Sequence, residues 1–180
     1  MSKIILISMD NLPDFDECNC LPKGCHKPSA EEFKERFVEV DGSISRKVIY
    51  EGYKEFSSRC SSTEAVLKHW VNGSYITAKL NPGDIDLLVS FDGLKMNDDA
   101  IYDEFLELSD EIEMKEYYDC HVFCFAKYPP DMELLHRNYK KNIETYIRIW
   151  KMDKHHCSEE KGIIEFSKEE IDKIRGLKDE

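Results

Sequence analysis

Apolar residues recur along this chain at two spacings, one helical and one alternating, and the switches between them divide it into elements. Ser29 and Glu32 have the spacing of a capping box, and Phe33, Phe37 and Val40 follow at helical intervals until Asp41-Gly42 stops the run. A second helical pattern covers residues 44 to 60 through Val48, Tyr53 and Phe56, with Gly52 as an interior defect that costs about 1 kcal/mol against alanine. After Ser61-Ser62 the pattern changes. Ala65 to Val71 forms a short, largely apolar run, a strand that enters a turn at Asn72-Gly73-Ser74. Residues 75 to 80 are a short helix or loop, and Asn81-Pro82-Gly83 is a turn. Ile85 with Leu87 to Val89 then predicts a strand buried on both faces.

Residues 98 to 112 keep helical spacing through Ile101, Phe105, Leu108 and Ile112, and the acids at the far end oppose the negative pole of the helix dipole, which predicts fraying there. Residues 117 to 126 alternate. Tyr117, Asp119, His121, Phe123 and Phe125 fall on one face, with Tyr118, Cys120, Val122 and Cys124 on the other, so a third strand is expected up to Pro129-Pro130. Leu135, Tyr139, Ile143, Tyr146 and Trp150 then form an apolar helical stripe opposite Arg137, Lys141, Arg148 and Lys151. A short strand at 163 to 166 and a last helix opened by Ser167 and Glu170 complete the pattern. Residues 10 to 28 are dense in Asn, Asp, Pro and Gly, a composition that predicts no regular structure. The expected organisation is an N-terminal arm over residues 1–28 and one α+β domain over 29–180, a small mixed sheet flanked by helices without internal repeats.

Composition narrows the functional classes. With 41% hydrophobic and 34% charged residues, the chain is apolar enough to fold around a core. A net charge of −12 disfavours strong non-specific binding to DNA or any polyanion, and the basic face of the long helix is only mild support for an RNA partner. Ile4 to Ile7 is too short for a signal-peptide core or a membrane span, so a cytoplasmic protein without membrane partners is expected. Seven cysteines without an export signal are best taken as reduced thiols. Cys18, Cys20, Cys25 and His26, with His155-His156-Cys157 far along the chain, offer a rival zinc reading. Their spacing is not that of a zinc knuckle.

The stretch from Trp70 to Val89 carries the chemistry. A glycine where a strand turns lets backbone N–H groups approach an anion, and the Ser74 hydroxyl beside Gly73 can donate to a phosphate oxygen. Asp84 and Asp86, two apart at a strand, present two carboxylates to one side with Ile85 buried between them, a ligand pair suited to Mg²⁺ (or Mn²⁺). Magnesium so held completes its shell with water and nucleotide phosphates, so the two halves explain each other.

These residues resemble the signature of the DNA polymerase beta-like nucleotidyltransferase superfamily: a Gly-Ser turn, a gap of this length, and an Asp-x-Asp strand. Within it, Gly73 to Lys79, Pro82 and Asp84-Ile85-Asp86 are similar to a group of bacterial and phage nucleotidyltransferase-like proteins. Leu21-Pro22, Gly24, His26 and Tyr128-Pro129-Pro130 fit that group as well. The resemblance implies a nucleotidyltransferase-like fold and a two-metal transfer of a nucleoside monophosphate from a nucleoside triphosphate to a hydroxyl of a protein or RNA acceptor. It also implies a setting such as a toxin–antitoxin or phage-defence module. Asp84 and Asp86 would bridge the ions, Gly73 and Ser74 would hold phosphates, and Lys79 would offset charge on the leaving pyrophosphate. A third acid is required. Asp119 is the candidate to bind one ion and activate the acceptor, while the narrower group places its acid where this chain has His121. The alternative is a catalytically inactive module of the same fold that binds nucleotide or a partner protein.

Overall fold

The computed structural model describes residues 12–152 and 160–176. Strand β1 (Cys25–His26) is followed by helix α1 (Ala30–Phe33), which continues as a π-helical turn over Lys34–Val38. Then come α2 (Arg46–Ser62), β2 (Val66–Asn72) and β3 (Ile85–Asp92), with 3₁₀ turns at Ser74–Ile76 and Gly93–Asn97. Helices α3 (Asp99–Leu108) and α4 (Glu111–Tyr118) lead into β4 (Cys120–Lys127). Helix α5 (Glu133–Lys151), β5 (Ile163–Ser167) and α6 (Lys168–Gly176) complete the order. This is the expected mixed α+β architecture.

The five strands form one sheet in the order β1-β5-β2-β3-β4. β2 lies antiparallel to both β5 and β3, whereas β3–β4 and β1–β5 are parallel. Side-chain alternation splits β3 between two cores. Ile85, Leu87, Val89 and Phe91 face the larger core, which α1, α2, α4 and α6 help to fill with Phe33, Tyr53, Phe56, Met114 and Ile171. Leu88 faces the smaller one, with Trp70, Ile143 and Ile163 under α5. The strand expected to be buried on both faces is therefore covered on both, between the two cores. The stripe on α5 packs from Tyr139 to Trp150, while Leu135 stays exposed.

Four expectations change. The arm is not irregular throughout: the Leu21 carbonyl accepts from Gly162 N–H at 2.8 Å, and Cys25–His26 pairs with Ile163–Ile164 as an edge strand. The helix over 98–112 does not fray but breaks at Ser109 and restarts. Asp110 caps the new helix by accepting from the N–H groups of Ile112 and Glu113 at 3.0 Å each. Glu111 and Glu113 thus sit at the positive end of a helix dipole rather than the negative end. Gly52 is no defect, because a Cβ there would overlap the Tyr118 carbonyl where α4 crosses α2. Finally, Tyr117 and Tyr118 belong to α4, and Asp119 is its left-handed C-cap at φ 53°, so the third strand starts at Cys120.

Cys25, Cys60, Cys120 and Cys124 are free thiols. Cys18 is disulfide-bonded, which corrects the expectation of reduced thiols at that position. His155, His156 and Cys157 lie outside the described residues. Among the described residues no helix is long and apolar enough to cross a membrane.

Candidate functional site

Asp86 sits one residue inside β3, directly across the antiparallel ladder from Asn72 and across the parallel ladder from His121. Between Asn72 and the Ser74–Ile76 turn, Gly73 takes φ 79° and ψ −165°, a combination open in practice only to glycine. A Cβ on Gly73 would overlap the Asp86 carboxylate. The missing side chain is what lets the carboxylate lie against the backbone that precedes Ser74.

Behind this turn stands Arg46, 2% exposed. Its guanidinium donates to the carbonyls of Phe37, Tyr75, Thr77 and Lys79 at 2.6–2.8 Å and, more weakly, to Leu80 at 3.3 Å. One cation therefore takes four carbonyls of the 75–80 loop, those of Tyr75, Thr77, Lys79 and Leu80, and fixes its path, and the Tyr75 hydroxyl closes the loop by donating to the Arg46 carbonyl at 2.9 Å. Burial lowers the Arg46 pKa from its ordinary value, yet the group remains a cation because guanidinium starts so high.

Gly73, Ser74, Asp86 and His121 line a cavity of about 460 Å³. Phe123, Tyr146, Ile149 and Trp150 also line it, together with Asn72 and Lys161. Aromatic and apolar side chains beside a Gly-Ser turn and a carboxylate offer stacking for a planar ring and donors for an anion in one cavity.

The carboxylates are already engaged. Asp84 is ion-paired with Lys115 of α4, and Asp86 Oδ1 lies 3.0 Å from His121 Nδ1. His121 Nε2 is 3.6 Å from Glu111. Asp84, Glu111, Lys115 and His121 border a second, more open cavity of about 570 Å³, so His121 is common to both.

Gly73, Ser74, Asp86 and His121 line the first cavity, whereas Asp84 lines only the second, so the two aspartates expected on one side border different cavities with His121 common to both. Asp119 does not join them. Its left-handed cap conformation puts it out of the strand alternation, it lines neither cavity, and the register position opposite Asp86 belongs to His121. Lys79 does not join either. It is exposed, its carbonyl is held by Arg46, and the lysine that lines the cavity is Lys161. Among the described residues, no three His, Cys, Asp or Glu side chains are gathered so as to hold a metal ion, in the Cys18–His26 segment or at the aspartates.

Lys115, Lys161 and Asn72 were not anticipated. Nothing in their spacing marks the two lysines. Asn72, however, is an amide at the end of an otherwise apolar stretch, Trp70-Val71, and that contrast was a visible signal.

Fold and site together define a single-sheet α+β protein with a polar-to-aromatic cavity at the end of its two central strands. A protein-family model described as a family of unknown function, DUF6932, matches residues 13–167, and the chain belongs to that family. No curated protein and no solved structure matches it.

Proposed function

We propose that this chain is a nucleotidyltransferase-type module that binds a nucleoside triphosphate with its magnesium in the Gly73–Asp86 cavity and holds it without transferring it. The observation that carries this reading is the close approach of Asp86 to Gly73, which sets a carboxylate against a backbone turn suited to phosphate. The triphosphate lies along Gly73 and Ser74 with Lys161 to balance charge, and the base lies against Phe123, Tyr146 and Trp150.

Asp86, with Asp84 once it leaves Lys115, fits one magnesium ion that arrives with the nucleotide, since one or two carboxylates plus phosphate oxygens are its usual set. When bound, that ion supplies charge neutralisation to the triphosphate. A pair of ions bridged for transfer is not supported. What supports this is that the strand position beside Asp86 carries the imidazole of His121, hydrogen-bonded to Asp86, and that Asp119 lines neither cavity.

One observation favours the second reading, transfer to an acceptor hydroxyl of protein or RNA. The cavity bordered by Asp84, Glu111 and Lys115 adjoins the first at His121 and leaves room for an acceptor beside the nucleotide. Incubation with each labelled nucleoside triphosphate, with Mg²⁺ or Mn²⁺, and with a lysate supplying protein and RNA acceptors separates the two. The expected result is saturable, metal-dependent binding that Asp86→Ala abolishes, with no label transferred. Transfer of label that disappears in Asp86→Ala replaces this reading with the enzyme, and absence of nucleotide binding removes both.

A further inference from the structure

The last residue of β2 has an unusual environment. Asn72 is 2% exposed and lines the cavity, immediately before Gly73 and across the ladder from Asp86. Its Nδ2 donates to the main-chain carbonyl of Trp150 at 3.0 Å. A carbonyl oxygen accepts and cannot donate, so this bond fixes which end of the amide faces α5. Its other end, Oδ1, is buried with no hydrogen-bond partner among the described residues. Buried acceptors are rarely left unpaired in folded proteins, and an orphan on a cavity-lining side chain calls for a donor carried by the ligand.

The chemistry of a nucleotide narrows which donor. Phosphate oxygens are acceptors at neutral pH and would repel Oδ1. The base belongs against Phe123 and Tyr146. Asn72 adjoins both the phosphate turn and, through Trp150, the aromatic wall, and the part of a nucleotide that spans those two regions is the sugar. We propose that Asn72 Oδ1 accepts a hydrogen bond from a ribose hydroxyl and makes the site selective against nucleotides that lack it. This rests on the nucleotide-binding reading and adds to it the part of the substrate that is recognised.

The test uses the wild-type protein. Dissociation constants are measured by calorimetry for a nucleoside triphosphate and for its 2′-deoxy and 3′-deoxy analogues, all with Mg²⁺. One analogue is expected to bind weaker by on the order of tenfold or more, because it leaves the acceptor buried and unpaired. In Asn72→Leu, the parent and that analogue are expected to bind alike. Equal binding of all three to the wild type overturns the proposal while leaving nucleotide binding intact. Failure of any triphosphate to bind defeats the nucleotide-binding reading itself. Because the decisive comparison needs no substitution, poor folding of Asn72→Leu does not rescue the proposal.

Discussion

Replacing Gly73 by alanine injures the molecule twice, and a double-mutant cycle with Asp86 separates the injuries. At φ 79° and ψ −165°, a side chain strains the backbone by about 1–3 kcal/mol wherever its Cβ lands. Here the Cβ lands on the Asp86 carboxylate, which must swing out and give up its 3.0 Å bond to His121. Hydrogen bonds to charged groups contribute about 1.5–3 kcal/mol when buried, but Asp86 and His121 keep 24% and 39% of their side-chain surface exposed. Solvent screening therefore reduces the figure to about 1 kcal/mol. Gly73→Ala should cost the strain plus the bond, roughly 2–4 kcal/mol in all, and Asp86→Ala the bond alone, about 1 kcal/mol. The double variant should again cost the strain plus one bond, since the bond can be lost only once. It should be less destabilised than the sum of the singles by about 1 kcal/mol. Urea unfolding of the four proteins measures this directly. Costs that add to within about 0.3 kcal/mol would refute the claim that Gly73 is glycine because of Asp86.

Two further outcomes are expected. Gly52→Ala should lower the melting temperature although helix propensity alone favours alanine by about 1 kcal/mol, because its Cβ meets the Tyr118 carbonyl; a raised melting temperature would contradict the close crossing of α2 and α4. Burial pushes the His69 pKa down to about 3, and its Nδ1 lies in hydrogen-bond contact with the Tyr53 hydroxyl at 3.1 Å. The unfolded chain therefore binds a proton below about pH 6.5 that the folded chain refuses. Stability from this residue is complete above that pH and falls by about 1.4 kcal/mol per unit down to the folded value. Between pH 7 and 5 the wild type should lose about 2 kcal/mol more than His69→Leu, as read by urea unfolding at each pH, and parallel losses would show that His69 is not the group responsible.

Much of this was legible in the sequence because it depends on near neighbours. The alternation at Ile85 to Val89 and from His121 to Phe125 gave the correct faces, and the Ser29–Glu32 box is formed with Ser29 Oγ 3.1 Å from Glu32 N. Gly73, Ser74 and Asp86 meet as their pattern suggested. What misled was a matter of conformation or of distant contacts. Tyr117 and Asp119 fit a strand alternation by accident, and only the helical turn started by the Asp110 cap removes them from it. Gly52 resembled a defect because its reason is a carbonyl 66 positions away, at Tyr118. The pairing of Asp84 with Lys115 likewise depends on α4 packing against β4, the strand beside β3, and no local spacing reports that packing.

The far edge of the sheet bears on how the chain is made. β1, early in the described chain, has β5 as its only sheet neighbour among the described residues, and the N–H of Ala30, which opens α1, is taken by the Glu170 carboxylate 140 residues later. At about 5–20 residues per second, a ribosome takes roughly 7–28 s to supply that partner. During this interval Phe33 and Phe37, both fully buried in the finished protein, lack Phe166 and Ile171 to pack against. The segment that begins the described fold is thus among the last to be secured, and a nascent chain stalled before β5 would expose the aromatic side chains that attract chaperones.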